Sequence, residues 1–176
     1  METPTAGVYL KVSTKLSIYY LENDENDELL LQRAFQKLGV HECVKWFQFS
    51  ADLCAKLAEL KPEQWPDIFL LDLKLNGESG IDVLDCLKKL PDYPRTPIFL
   101  FSSGLVPREV EAGLKLGATA YLQKPGNFGD FHEVAAQLLE FVRSGAIQES
   151  DRVITLNNYQ WIEASRNAAA PGSPNP

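Results

Sequence analysis

The sequence predicts an α/β fold: a five-stranded parallel sheet with helices on both faces, wound as five strand–helix units. Three observations predict it. Short runs rich in leucine, β-branched and aromatic residues recur at Leu16–Leu21, Cys43–Phe49, Ile68–Leu71, Ile98–Phe101 and Thr119–Leu122. Stretches with apolar residues at helical spacing separate them. The runs begin 21–30 residues apart, the length of a strand plus a crossover helix, and such alternation implies parallel strands covered on both faces.

Each helix carries its own signals. In the first, Leu30, Leu31, Ala34, Phe35 and Leu38 recur at helical spacing and Gly39 supplies a stop. The second begins near Ser50, a good N-cap, and carries Leu53, Leu57 and Leu60. Ile81, Leu84 and Leu87 mark the third, after Gly80. The fourth runs from Pro107, suited to a first helical turn, through Val110 and Leu114 to Gly117. Phe131, Val134, Ala135, Leu138, Leu139 and Val142 mark the fifth. The third and fourth strands are apolar without alternation, as central buried strands are. Trp46, Phe47 and Phe49 are expected to alternate between core and surface.

A chain of 176 residues suits one core rather than two. Residues 1–15 read as a polar lead-in with an apolar island at Val8-Tyr9-Leu10, 16–143 as the domain, and 144–176 as an extension expected to be partly disordered, ending in the Ala/Pro/Gly/Ser/Asn-rich run from Ala168. The formal charge of −7 argues against a nucleic-acid surface, which needs clustered cations. Three cysteines without a CxxC pair, and only two histidines, argue against a zinc site or a disulfide framework. An odd cysteine count suits a reducing cytoplasm. No apolar run is long enough for a signal peptide or a membrane span.

Ligands on such a sheet bind at the carboxyl ends of the strands. Strand one ends in Glu22-Asn23-Asp24, strand three in Asp72, strand four in Ser102-Ser103 and strand five in Lys124-Pro125. These residue types suit phosphoryl transfer. A carboxylate can be the nucleophile, neighbouring oxygens can hold Mg²⁺, and an ammonium and a hydroxyl can bind the equatorial phosphoryl oxygens. Taken singly each has a plainer reading: turn former for Asp72, turn for Ser102-Ser103-Gly104, loop lysine for Lys124. The acids from Glu22 to Glu28 read equally as a solvated helix start, and His41 and His132 as surface residues.

Together the segments resemble a family. Pro66-Asp67-Ile68-Phe69-Leu70-Leu71-Asp72-Leu73 is similar to the phosphoacceptor strand of bacterial response-regulator receiver domains. Pro97-Ile98-Phe99-Leu100-Phe101-Ser102-Ser103 resembles their fourth strand, and Gly117-Ala118-Thr119-Ala120-Tyr121-Leu122-Gln123-Lys124-Pro125 their fifth. The resemblance spans 16–143 and implies the flavodoxin-like (βα)5 receiver fold of CheY-like proteins. It implies Asp72 as phosphoacceptor, with Lys124 and Ser102 binding the phosphoryl group. It implies Mg²⁺ held by Glu22, Asn23, Asp72 and the backbone carbonyl of Lys74, with Asp24 a further candidate, and Ser102 and Tyr121 as the switch pair. It also implies a cis Lys124–Pro125 bond that leaves the lysine over the pocket. Two positions depart from the pattern: Asn23 replaces an acid, which lowers the charge available to a metal, and Asn76 stands where many members have proline.

The implied function is a two-component switch, an auto-catalysed phosphoacceptor rather than an enzyme with a turnover substrate. A sensor histidine kinase would be its donor, a protein its downstream partner, with a homodimer open. Glu22 and the loop from Leu90 to Thr96 resemble single-domain receivers paired with phytochrome kinases, and residues 144–176 are too few and too polar for an output domain. The alternative is a pseudo-receiver that binds protein without phosphorylation, for which Asn23 speaks. An aspartate-nucleophile phosphatase would need Asp-x-Asp where this chain has Asp72-Leu73-Lys74, and a nucleotide-binding fold would need a glycine-rich first turn.

Overall fold

The computed structural model describes residues 16–90, 96–104 and 106–144, and the backbone of two strands at 152–155 and 160–163. The expectations for the lead-in 1–15, for most of the loop between Leu90 and Thr96, and for the tail from Ala168 lie outside the described residues.

Strands and helices alternate as the periodicity requires: β1 (Ile18–Leu21), α1 (Glu25–Lys37), β2 (Val44–Phe47), α2 (Ser50–Ala58), β3 (Ile68–Leu71), α3 (Gly80–Lys88), β4 (Ile98–Ser102), α4 (Pro107–Lys115), β5 (Ala120–Gln123) and α5 (Phe128–Ser144). The five strands run parallel in the order β2-β1-β3-β4-β5. Alternate strand residues point to opposite faces, so two cores form. Ile18, Tyr20, Ile68, Leu70, Phe99 and Phe101 pack against Leu31 and Phe35 of α1 and Phe131 and Leu138 of α5. Tyr19, Leu21, Phe69, Leu71 and Leu100 pack against Leu53 and Leu57 of α2, Leu84 and Leu87 of α3 and Val110 of α4. Every residue of β3 and β4 is buried, as expected for strands covered on both sides.

Local signals explain most of the helix ends. Asp24 caps α1, its carboxylate accepting from Asn26 N, and Gly39 closes that helix at φ 76°. Pro107 takes the first helical position of α4. Ser50 is a correction: it is the first helical residue, and Phe49 holds the cap position without a side-chain hydrogen bond. Ser79 caps α3 through a bond to Ile81 N, and Gly80 follows at a crowded contact. A Cβ at Gly80 would lie 2.1 Å from the backbone oxygen of Asp72. Only a glycine lets α3 start against that strand end.

The sheet does not stop at five strands. β6 (Arg152–Thr155) pairs parallel with β5, and β7 (Gln160–Glu163) pairs antiparallel with β6. Both strands lie within the extension 144–176, which was expected to be partly disordered. The sequences Arg-Val-Ile-Thr and Gln-Trp-Ile-Glu are short but rich in β-branched and aromatic residues, and the bare edge of β5 offers them a ladder of hydrogen bonds.

Candidate functional site

Parallel strands all finish on one edge, and register decides which ends meet. Leu21 of β1 pairs with Leu71 of β3, so the next residues, Glu22 and Asp72, emerge side by side. Asp72 N donates to Leu21 O at 3.0 Å, and Glu22 N donates to Phe47 O at 3.0 Å. On the other side, Lys124 N donates to Ser102 O at 2.8 Å, which brings the ends of β5 and β4 together.

The Lys124 ammonium reaches back across this edge. It donates to Glu22 Oε2 and to Asp72 Oδ2 at 2.9 Å, and forms an ion pair with Asp27 Oδ2 at 3.0 Å. The ammonium thus sits among three carboxylates, two of them accepting hydrogen bonds from it. The side chains of Lys124, Glu22 and Asp72 are 7%, 1% and 7% exposed, so these charges survive only because they are paired. Burial, the largest influence, lowers the Lys124 pKa, but the attraction of Asp72 and Glu22 outweighs it and holds the group above the ordinary lysine range. Burial raises the Glu22 carboxyl, with Lys124 pulling the other way.

A further ring of bonds fixes the carboxylates. Tyr20, wholly buried, donates its phenol to Glu22 Oε2 at 2.9 Å, and Asp24 N donates to Glu22 Oε1 at 2.9 Å. Lys74 N donates to Asp72 Oδ1 at 3.0 Å. The Trp46 indole donates to the backbone oxygen of Glu22 at 2.6 Å. Burial pushes the Tyr20 phenol well up, and the neighbouring Glu22 adds to that, so Tyr20 is a lasting donor.

The remaining expected residues fall as follows. Ser102 is fully buried, and its Oγ has no hydrogen-bond partner among the described residues. Tyr121 is also fully buried, with its hydroxyl on the carbonyl of Gly104. Asn23 donates its amide nitrogen to Asn76 Oδ1 at 3.1 Å, so the two departures from the family pattern bond to each other. Asp24 Oδ1 accepts from both N and Nδ2 of Asn26, which turns it to the α1 terminus. The expected cis bond is corrected: no peptide bond among the described residues is cis. With Lys124–Pro125 trans, the lysine still reaches Asp72, because its backbone is already pinned to Ser102 O.

Three contributors were not anticipated: Asp27, Tyr20 and Trp46. Asp27 lies in the first turn of α1, directly above the end of β1, and that adjacency in a βα unit was the available signal. Tyr20 and Trp46 read as ordinary strand aromatics.

The donors are oxygens of Asp, Glu and Asn, the chemistry of a hard cation. Among the described residues no three His, Cys, Asp or Glu side chains close into an all-protein metal cage. Mg²⁺ does not require one, since it binds through one or two carboxylates and keeps several waters. The set therefore fits Mg²⁺ better than a metal seeking nitrogen or sulfur.

A doubly wound parallel sheet with Asp, Glu, Ser and Lys converging at its carboxyl edge defines a receiver-type signalling domain. The response regulator receiver domain model matches residues 21–136. The chain belongs to the response regulator receiver family of two-component systems, whose members are signalling switches rather than metabolic enzymes. It is 22% identical over 138 residues to the probable methanogenesis regulatory protein FilR2 of Methanothrix harundinacea, covering 77% of this chain and 89% of that one. It is 30% identical over 76 residues to the response regulator Rcp1 of Synechocystis sp., covering 43% of this chain and 52% of Rcp1. The phosphorylated cyanobacterial phytochrome response regulator RcpA superposes with a TM-score of 0.67 at 24% identity, covering 76% of this chain and 97% of that one. Among the described residues no helix is long and apolar enough to cross a membrane.

Proposed function

We propose that this protein takes a phosphoryl group onto Asp72 from the phosphohistidine of a sensor kinase in the cytoplasm. The observation that carries the reading is the Asp72 carboxylate 2.9 Å from the Lys124 ammonium, at the strand end beside a buried Ser102 Oγ that lacks a partner among the described residues. An orphaned buried hydroxyl is costly to leave unmade, and an arriving phosphoryl oxygen satisfies it. As the P–O bond to Asp72 forms, the P–N bond of the donor breaks, its electron pair stays on that nitrogen, and the imidazole leaves neutral with the proton its other nitrogen already carried. Lys124 stays charged throughout and faces the transferred oxygens.

Glu22, Asp72, the Asn23 side-chain oxygen and the Lys74 backbone carbonyl are the groups that would hold Mg²⁺. The bound cation supplies positive charge to phosphoryl oxygens during transfer. Asp24, committed to its cap, is the weakest of the expected ligands. Ser102 and Tyr121 form the switch: the hydroxyl moves to the phosphoryl group, Tyr121 fills the space behind it, and the surface of α4 and β5 changes for a protein partner. The likeness to RcpA, a phytochrome response regulator, supports a kinase of the phytochrome type as the donor.

The test is intact mass after incubation with acetyl phosphate and Mg²⁺. Wild type should gain one phosphoryl group, lose it on chelation of the metal before the reaction, and Asp72→Asn should gain none. A gain that persists in Asp72→Asn defeats the assignment. No gain in wild type favours the pseudo-receiver, for which the neutral Asn23 is the supporting feature.

A further inference from the structure

Asn23 leaves an electrostatic gap. Its nitrogen is engaged with Asn76, and it brings no charge to a site whose chemistry needs a dication. Glu22 on one side of Asn23 is already paired with Lys124, and the Oδ1 of Asp24 on the other is occupied by the backbone and side-chain nitrogens of Asn26. One helical turn onward, Asp27 Oδ2 lies 3.0 Å from Lys124 Nζ, with the side chain 25% exposed. Three carboxylates against one ammonium leave the pocket a formal −2. An acid at position 23 with no Asp27 would leave the same total.

Resting on the phosphoacceptor reading of Asp72, we propose that Asp27 is a positioning residue of the site: it holds the Lys124 ammonium as a third carboxylate and restores the negative charge that Asn23 withholds. The geometry adds a second duty. Once an Asp72 oxygen carries the phosphoryl group as an acyl phosphate, Glu22 and Asp27 still hold the ammonium, so Lys124 stays beside the phosphoryl oxygens. The acidic first turn of α1 thus belongs in part to the pocket. It is not only a favourable partner for the helix dipole.

Relocating the charge tests this. Mn²⁺ affinity is measured by calorimetry on the full chain for wild type, Asp27→Asn, Asn23→Asp and the double variant, with phospho-Asp72 yield from acetyl phosphate read in parallel. Asp27→Asn should weaken Mn²⁺ binding about tenfold, the size expected for one nearby charge in a partly screened site. Adding Asn23→Asp should bring affinity back to within about threefold of wild type, and Asn23→Asp should gain less alone than it gains in the Asp27→Asn background, the signature of coupled sites. Asp27→Glu keeps the charge and should keep the affinity, which separates charge from any effect on folding. Unchanged Mn²⁺ affinity in Asp27→Asn, or a loss that Asn23→Asp fails to recover, overturns the proposal. The phosphoacceptor reading fails differently: wild type would gain no phosphoryl group, while the four Mn²⁺ affinities could still be compared.

Discussion

Lys124 carries a full charge in a place with almost no water, and its three carboxylate partners account for that. Removing it leaves them facing one another. Lys124→Met is therefore expected to cost roughly 3 kcal/mol near pH 8, the range seen when a buried pair loses one partner. The pH dependence follows from the raised Lys124 pKa. A lysine held above its ordinary value contributes stability that is fully present below about pH 10 and fades only as pH rises through the folded value. The gap between wild type and variant should thus stay flat from pH 7 to 9, as read by urea unfolding. Toward pH 5 it should narrow, because Glu22, raised by burial and no longer held down by Lys124, takes up a proton in the variant. Residues that follow a strand directly were readable in the sequence: Glu22, Asp72, Ser102 and Lys124 each come at or next to a strand end, and strand ends share an edge. Asp27 was not readable in the same way. An acid in a first helical turn has a commoner explanation, and only the ion pair at 3.0 Å separates the two.

The start of α3 is the tightest contact between an element and the site. Gly80 sits where any Cβ would strike the backbone of Asp72 and Leu73, at 2.1 and 2.9 Å. Gly80→Ala must therefore push α3 away from the β3 end or shift Asp72 itself. A cost of about 1–3 kcal/mol is expected, as for other overpacked sites, together with a lower yield of phosphorylated Asp72. Gly126→Ala, where a Cβ would meet nothing within 4 Å, should change neither and serves as the control in thermal melts. Elements with strong apolar periodicity were foreseen almost to the residue, as with β3 and the Pro107 start of α4. Weakly patterned pieces were not. The 3₁₀ turn at Pro62–Gln64 and the strands β6 and β7 are short, and their conformation depends on what lies beside them in space. The Lys124–Pro125 bond was misjudged for a related reason: the reach of the lysine is set by its pairing with Ser102, which sequence alone does not display.

The cores on the two faces of the five-stranded unit are built from residues between Leu16 and Val142. A chain ended after Ser144 should therefore fold, behave as the full chain does in the acetyl phosphate assay, and lose only about 2–6 °C in melting temperature. What it should lose is the cover on β5. An open strand edge recruits other chains, so sedimentation velocity should show more concentration-dependent association for the shortened chain than for the full one. The opposite flank of the sheet carries a different consequence. Trp46 of β2 is tied by its indole nitrogen to the backbone of Glu22, and Glu22 in turn touches Lys124. Indole emission shifts with the electric field around the ring, so the colour and brightness of this one side chain follow the charge state of the pocket. With Trp65 and Trp161 replaced by Phe so that Trp46 is the sole indole, addition of Mg²⁺ or acetyl phosphate is expected to shift its emission, a built-in optical gauge of the pocket that needs no dye or label.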